Sequence, residues 1–453
     1  MFEQFIDTVN NLVWGPIMLT LLLGTGIYLS IGLRGMSIMR IPYAFKQLFK
    51  GRQGRGEGEI SPFNALMTAL SSTVGTGNIA GVATAIGIGG PGALFWMWCT
   101  ALVGLATKYS EAVLAVNYRE TGLEGKKVGG PMYYIKNGLG KRWMPLAIMF
   151  SIFGSLAGFG LANTVQSNTV SQVLTTNYNI PTLFSGIVMA SLVAVVLLGG
   201  IKRIAEVAGK LVPLMTIIYI LSTVAILLIH ISEIPSALVL IVDSAFNGAA
   251  ATGGFAGSTL ILALRMGVAR GIFSNESGLG SAPIAHAAAE TNSPVRQGTI
   301  AMLGTFIDTL IICTMTGLVL VVTDVWTGDA QGAAMTLKAF NSSLPFGSNI
   351  LAMCIVLFAF TTMLGWSYYG ERCAEFLVGP KIILPYRILW VLGVFLGTQM
   401  TLDMVWKLSD ALNGLMAIPN LIALIFLSPV VFKLTRIYFS QPESTSEAVK
   451  HES

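Results

Sequence analysis

Apolar stretches of roughly 20 residues, each long enough to cross a bilayer as a helix, recur from end to end of this chain, with short polar segments between them. They predict eleven helices, at 13–33, 61–88, 92–116, 144–171, 181–199, 211–231, 256–289, 297–323, 347–369, 386–402 and 408–432. Two of these runs are interrupted. In the first, Ser71-Ser72-Thr73-Val74-Gly75-Thr76-Gly77-Asn78 places hydroxyls, an amide and two glycines at mid-span. In the second, Phe273-Ser274-Asn275-Glu276-Ser277-Gly278-Leu279-Gly280 does the same, followed by Ala282 and Pro283. A glycine inside a helix costs about 1 kcal/mol relative to alanine. Unwound backbone is tolerated in a membrane only where protein or a wet cavity satisfies it.

Gly77 and Gly278 lie 201 residues apart, close to half the chain. The pattern therefore predicts an all-α polytopic membrane protein with one extra N-terminal helix and two five-helix repeats. Because five is odd, the second repeat is inserted upside down. The expected division is 1–60 for the N-terminus, extra helix and basic loop, 61–231 and 232–432 for the repeats, and 433–453 for a tail. Paired interruptions at matching places mark the central site of a transporter. The competing reading is that small residues merely pack helices together.

Composition agrees with the pattern. Of 453 residues, 54% are hydrophobic and 11% charged, against about 25% charged in ordinary globular chains. Mean hydropathy is +0.72. These values exclude a soluble or disordered protein, and a net charge of +5 carried in loops gives no nucleic-acid footprint. The partner is the lipid bilayer, and no obligate protein partner is evident.

Sorting the charges by loop adds orientation. The loops Arg34 to Glu59, Tyr118 to Trp143, Gly199 to Lys210, His286 to Gln297, Gly370 to Arg387 and the tail after Phe432 hold 22 of the 27 Lys and Arg residues. The opposite loops hold only Lys338 and Lys407, beside Glu3, Asp7, Glu233, Asp243, Asp324, Asp329, Asp403 and Asp410. Basic loops stay in the cytoplasm. The expectation is a multi-pass cell-membrane protein with its N-terminus outside and its C-terminus inside.

Scattered cysteines and three separated histidines offer no metal or haem spacing, so no cofactor is expected. Lys108 and Glu111 read as an i,i+3 pair or as snorkelling side chains near a helix end. Glu276 and Asp308 lie deep, where ionisable groups mark a pathway or site. A buried Glu276–Arg270 pair supporting the second break is a further expectation. Asn163, Gln166 and Asn168, amides in an apolar run, either reach a ligand or bond between helices.

A broken helix offers N–H groups and a positive dipole end to an anion, and carbonyls to a cation. A zwitterionic amino acid travelling with a cation suits both poles. The run Gly89-Gly90-Pro91-Gly92-Ala93-Leu94-Phe95-Trp96-Met97-Trp98 closely resembles the signature of the alanine or glycine:cation symporter family. Helix order and both breaks are also similar to that family over essentially the whole chain; Cys99, where a larger aliphatic residue is expected, is a minor departure.

The resemblance implies sodium-driven uptake of alanine or glycine, with sodium as coupling ion, on the leucine-transporter-type inverted-repeat fold of the amino acid–polyamine–organocation superfamily. It implies Thr73 and Asn78 as cation ligands, and Thr76 and Gly77 beside the substrate carboxylate. Phe273 would cover the substrate, with Asn275 alongside, while the Ser274 hydroxyl supports sodium. Thr361 and Thr362 would form a second sodium site with carbonyls near Ser71 and Val74. Trp366, one turn beyond Thr362, would limit the pocket to small side chains or else belong to an interfacial belt. Gln166 is a further expected substrate contact.

Asp308 falls near a neutral amide ligand of the fold. As an acid it is either a charged sodium ligand or a protonatable group, so proton coupling is the alternative. A channel needs charge rings or a repeated carbonyl filter, and an intramembrane enzyme needs a clustered catalytic set. Neither is written in this chain, and an enzyme is not expected.

Overall fold

The computed structural model describes residues 2–52, 54, 56–122, 125–247, 260–400 and 402–440. The chain begins with α1 (Phe2–Val13) and α2 (Pro16–Gly32), then the short α3 (Met36–Met39) and α4 (Ile41–Lys50). The first interrupted helix follows as α5 (Pro62–Thr73), a tight turn at Thr76–Asn78, and α6 (Ala80–Gly89). Ser61 accepts the Asn64 N–H at 3.2 Å while Pro62 fills the first helical position, a combination that starts a helix sharply.

Next come α7 (Gly92–Asn117), a two-stranded ribbon of β1 (Glu120–Thr121) and β2 (Lys127–Val128), α8 (Pro131–Tyr134), α9 (Met144–Gly158) and α10 (Val165–Tyr178). The wide turns of Phe159–Thr164 join α9 to α10 without ending the helix. Then follow α11 (Thr182–Leu197), α12 (Gly200–Ile229) and α13 (Ile234–Asn247). The second interrupted helix is α14 (Leu260–Asn275) and α15 (Ala282–Ala287). The rest is α16 (Pro294–Thr305), α17 (Thr314–Val322), α18 (Gly332–Ser343), α19 (Gly347–Val378), α20 (Ile383–Gly397) and α21 (Leu402–Ser440). Between α16 and α17 the helix widens over Phe306–Cys313.

Seven helices or continuous helical stretches among the described residues are long and apolar enough to cross a membrane. The halves of the two broken helices are each too short to do so alone. The remaining apolar helices, α2, α11 and α13, are shorter. Leu183, Phe184, Leu221, Val239 and Leu389 on α11, α12, α13 and α20 are exposed, an apolar girdle that lipid covers. The protein is a multi-pass helical membrane protein.

Several boundaries differ from the sequence reading. The basic stretch from Gly200 to Lys210 is the first part of α12 rather than a loop; Lys, Arg, Glu and Ala are good helix formers and charge alone does not end a helix. In the same way α19 continues past Gly370 to Val378. The helices α4, α13 and α18 lie where loops were expected. Residues 256–259 of the expected seventh helix and 441–453 of the tail lie outside the described residues.

The centre of the molecule is α7, packed along α14, α16 and α2. Its burial overturns one of the two readings of Lys108 and Glu111, that they snorkel near a helix end. Lys108 is only 2% exposed and Glu111 not at all, so neither snorkels to an interface. The Lys108 ammonium has no hydrogen-bond partner among the described residues. An i,i+3 spacing brings two side chains to one helix face, and here that face points inward.

Candidate substrate and cation site

The site is built where the two breaks meet. After Thr73 the backbone turns extended at Val74 and Gly75. The Gly75 N–H donates to Asn78 Oδ1 at 2.9 Å and the Thr76 N–H to Gln166 Oε1 at 3.3 Å. The backbone exposed by unwinding is thus met by two amide side chains. Val74 O accepts the Thr362 hydroxyl at 3.4 Å, and Asn78 O accepts that of Thr316 at 2.7 Å. A Cβ at Gly75 would lie 2.5 Å from Thr362 Oγ1, so only glycine lets α19 approach this closely.

The second break turns at Glu276, a non-glycine residue at φ +56. This left-handed conformation is costly away from glycine and is held by surrounding bonds. The Ser277 N–H donates to Asn275 Oδ1 at 2.9 Å, and Asn275 Nδ2 donates to Thr309 at 3.1 Å. Glu276 Oε1 accepts from Trp366 Nε1 at 2.6 Å, and its Oε2 from the Ser281 hydroxyl. Arg270 instead lies 3.5 Å from Asp410 and over the Phe273 ring. The expected Glu276–Arg270 pair is therefore replaced by two separate interactions, because the backbone turns between residues 275 and 281 and carries Glu276 inward while Arg270 stays on α14.

Asp308 joins the two breaks. Its Oδ1 accepts from Asn78 Nδ2 at 2.7 Å; its Oδ2 accepts the hydroxyls of Ser274 at 2.9 Å and Thr309 at 2.8 Å. It stands in the wide turn of Phe306–Cys313, a bulge that redirects side chains and recurs at functional sites.

A small inner pocket of about 10 Å³ is lined by Ser72, Thr73, Gly75, Gly77, Gln166, Phe273, Glu276, Thr362 and Trp366. That is room for roughly one water. Of the residues expected at the site, Thr73, Gly77, Gln166, Phe273, Thr362 and Trp366 meet here. Thr76, Asn78, Ser274 and Asp308 stand behind it in the network above. Ser71 is buried and bonds back to Thr68 O at 2.8 Å. The Thr361 hydroxyl points away, toward Leu357 O, Phe358 O and Met215 Sδ. Trp366 is 1% exposed, which excludes the interfacial belt. The amides of α9–α10 divide. Gln166 reaches the break, while Asn163 bonds Trp390 O at 2.8 Å and Asn168 bonds Gly397 O at 2.9 Å, both across to α20.

Phe273 separates this pocket from a cavity of about 930 Å³ lined by α1, α6, α10, α14, α18 and α21. That cavity reaches the face bearing Trp14, Arg265 and Lys407.

Three contributors went unrecognised in the sequence. Glu111 Oε1 accepts the N–H groups of Gly278 and Gly280, both at 3.1 Å, and Asn420 Nδ2 at 2.6 Å. It caps the second break from α7. Gly365 lets α19 close on α5, since a Cβ there would fall 2.1 Å from Ser72 Oγ. Ser72 itself lines the pocket. For Glu111 a signal existed: a carboxylate in an otherwise apolar span. Lys108, three residues before Glu111 on α7, is buried as well.

Comparison with known proteins shows the family. Residues 1–452 match the sodium:alanine symporter family. The sodium/alanine symporter AgcS of Methanococcus maripaludis is 49% identical over 96% of this chain and 97% of its own length. The amino-acid carrier protein AlsT of Bacillus subtilis is 36% identical over 97% and 93%. Among solved structures, MhsT in complex with L-phenylalanine superposes with a TM-score of 0.58 at 13% identity, covering 84% of this chain and 99% of that one. This likeness is one of fold, the leucine-transporter type. With the family's profile spanning nearly every residue and relatives matched along nearly their whole length, the chain belongs to the sodium:alanine symporter family.

Proposed function

We propose that the protein takes up alanine, or another small neutral amino acid such as glycine, together with sodium, by exposing the site between its two broken helices alternately to each side of the membrane. The observation that carries this reading is the pairing of unwound backbone at residues 74–78 and 275–281 around one pocket. The Gly77 N–H, and that of Thr76 once Gln166 releases it, suit the substrate carboxylate. Phe273 and Trp366 bound the space for its side chain, with Asn275 supporting the turn.

Sodium prefers hard oxygen ligands, carbonyls, hydroxyls and carboxylates. Val74 O and the Thr362 hydroxyl, with Ser71 O nearby, suit one ion. Thr73, Asn78, Ser274 and Asp308 suit a second, linked to the substrate. Among the described residues no cluster of His, Cys, Asp and Glu could hold a metal ion, which is compatible with a weakly bound ion held mostly by neutral oxygens. The division into an extra helix and two five-helix repeats, eleven spans in all, fits the positions of both breaks. The loop charges favour a cell-membrane protein with the N-terminus outside, so that the 930 Å³ cavity faces outward.

Uptake of labelled alanine into proteoliposomes tests the whole reading. An inward sodium gradient should drive accumulation. Flux that follows a proton gradient and ignores sodium would transfer the coupling role to protons, and flux indifferent to both would indicate a channel.

Two substitutions refine the map. Thr362→Ala should raise the sodium concentration for half-maximal uptake roughly five- to tenfold, the worth of one hydrogen-bond-like ligand. Thr361→Ala should change it far less, because that hydroxyl faces Met215; equal effects would place both at the ion. Trp366→Ala should admit larger amino acids, with labelled leucine uptake as readout. It removes a fully buried indole, whose loss costs about 3–5 kcal/mol in a soluble core, so folded yield must be measured alongside. An unchanged substrate range in folded protein would separate Trp366 from specificity.

A further inference from the structure

On the face opposite the large cavity, the inner halves of both broken helices are tied together by backbone. The segment leading into α5 runs parallel to the segment following α15, bridged at Ile60 and Ala289. The Glu59 N–H donates to Ala288 O at 2.8 Å, the Glu290 N–H to Ile60 O at 2.8 Å, and the Thr291 N–H to Glu57 O at 3.3 Å. Gly58 permits this contact: a Cβ there would sit 2.4 Å from the Ala289 backbone.

Arg119, just beyond the end of α7, straddles the seam. Its Nη1 donates to Ala287 O at 3.0 Å and Ala289 O at 2.8 Å; its Nη2 donates to Glu57 O at 2.9 Å and Thr291 O at 2.6 Å. A guanidinium carries five donors in a rigid fork, which is what allows one side chain to hold four carbonyls on two segments. All four acceptors are backbone, so the bonds depend on where the segments lie and are lost together when they part.

We propose that Arg119 is the latch of the closed face: a positioning residue that holds the inner halves of both broken helices together and whose release opens the site to that side. The proposal rests on the transport reading above. It extends that reading by naming the group that sets the balance between the two openings. Arg119 touches neither substrate nor ion. It acts through α5 and α15, the elements that carry Thr73 and follow Glu276, and so links the occupancy of the pocket to the seam.

The test is the reactivity of a reporter cysteine in the purified full-length protein. Ala69→Cys places a thiol one turn below Thr73, toward the closed face, at a residue that is 4% exposed. Its labelling by a maleimide is compared with that of the protein lacking the reporter, which accounts for the native cysteines. In the Arg119→Gln background, labelling should speed up roughly tenfold, the shift expected when about one net hydrogen bond's worth of bias is lost. Arg119→Lys should label nearly as fast, since one ammonium cannot span four carbonyls. Gly58→Ala, which wedges the same seam without touching Arg119, should do the same.

Added sodium and alanine should change the labelling rate in these variants, a response that mere loss of stability would not produce. Unchanged labelling in Arg119→Gln, or in Gly58→Ala should the first variant fail to fold, overturns the latch. So does fast labelling that neither sodium nor alanine alters, when the parent takes up alanine with sodium in proteoliposomes. Because labelling needs no flux, failure of alanine transport in proteoliposomes would sink the functional reading while leaving the opening of the seam measurable.

Discussion

Asp308→Ala should reduce sodium-driven alanine uptake by about 100-fold or more. The carboxylate accepts from Asn78 on the first break, Ser274 on the second, and Thr309 beside it. Its removal takes the best acceptor from three buried donors, leaving Asn78 only the long contacts to Asp308 O at 3.3 Å and Cys313 Sγ at 3.4 Å, and Ser274 only Cys313 Sγ at 3.3 Å. Each unsatisfied buried group costs about 1–3 kcal/mol, so even if one donor finds another partner the other two cost about 2–6 kcal/mol, a range that brackets two decades in an equilibrium constant. Asp308→Asn separates the two roles of the residue. An amide keeps one acceptor oxygen and nearly the same volume, so the helices should stay joined, while the negative charge offered to a cation is gone. The expected result is a folded protein whose uptake needs much more sodium. If Asp308→Asn transports with the parent's sodium dependence, the residue is a structural link and has no place at the ion.

Glu111→Ala should have the largest effect on stability. Glu111 meets the N–H groups of Gly278 and Gly280 and the amide of Asn420, and Asn420 in turn donates to Gly278 O at 2.9 Å and accepts from Tyr134. Without the carboxylate, unwound backbone in the interior of a membrane protein has no partner, and Lys108 loses a neighbouring negative charge. Breaking a buried charged network by removing one member costs about 3–5 kcal/mol in soluble proteins. The expectation is a marked fall in thermal unfolding temperature in detergent, with little protein surviving purification. Glu111→Gln retains an acceptor for the glycine N–H groups and should recover most of the stability. Equal stability of Glu111→Ala and the parent would show that water replaces the carboxylate and that the second break holds itself.

The two cases differ in how visible they were. Asp308 was singled out from sequence, because an acid deep in an apolar run is costly and therefore informative. Glu111 stands nearer a helix end with a lysine three residues before it, and that position suggests an i,i+3 pair or snorkelling side chains. The structure turns that face of α7 toward α14 and α15, and the pair becomes part of the support for a break 167 residues away. Local spacing tells which side chains share a helix face. It cannot tell where the face points, which depends on every helix packed around it.

Helix ends show the same division. The breaks were legible because glycine and hydroxyl runs weaken a helix locally, whatever surrounds it. The ends of α12 and α19 were not, because charged residues that are good helix formers continue a helix as readily as they form a loop. Gly365 and Gly58 went unremarked among fifty glycines. Each matters only because another segment lies against it.

By itself, then, the order of residues determined what local chemistry decides: a helical membrane protein, two weak points half a chain apart, an acid at depth, and a signature that implied the family. Only the tertiary structure decided which groups meet. It turned Thr362 to the pocket and Thr361 to Met215, gave Glu276 to Trp366 rather than Arg270, buried Trp366, and brought Arg119 onto four carbonyls. The physical reason is that periodicity and burial cost act within one segment, whereas a hydrogen bond between segments requires a relative placement that no single segment encodes.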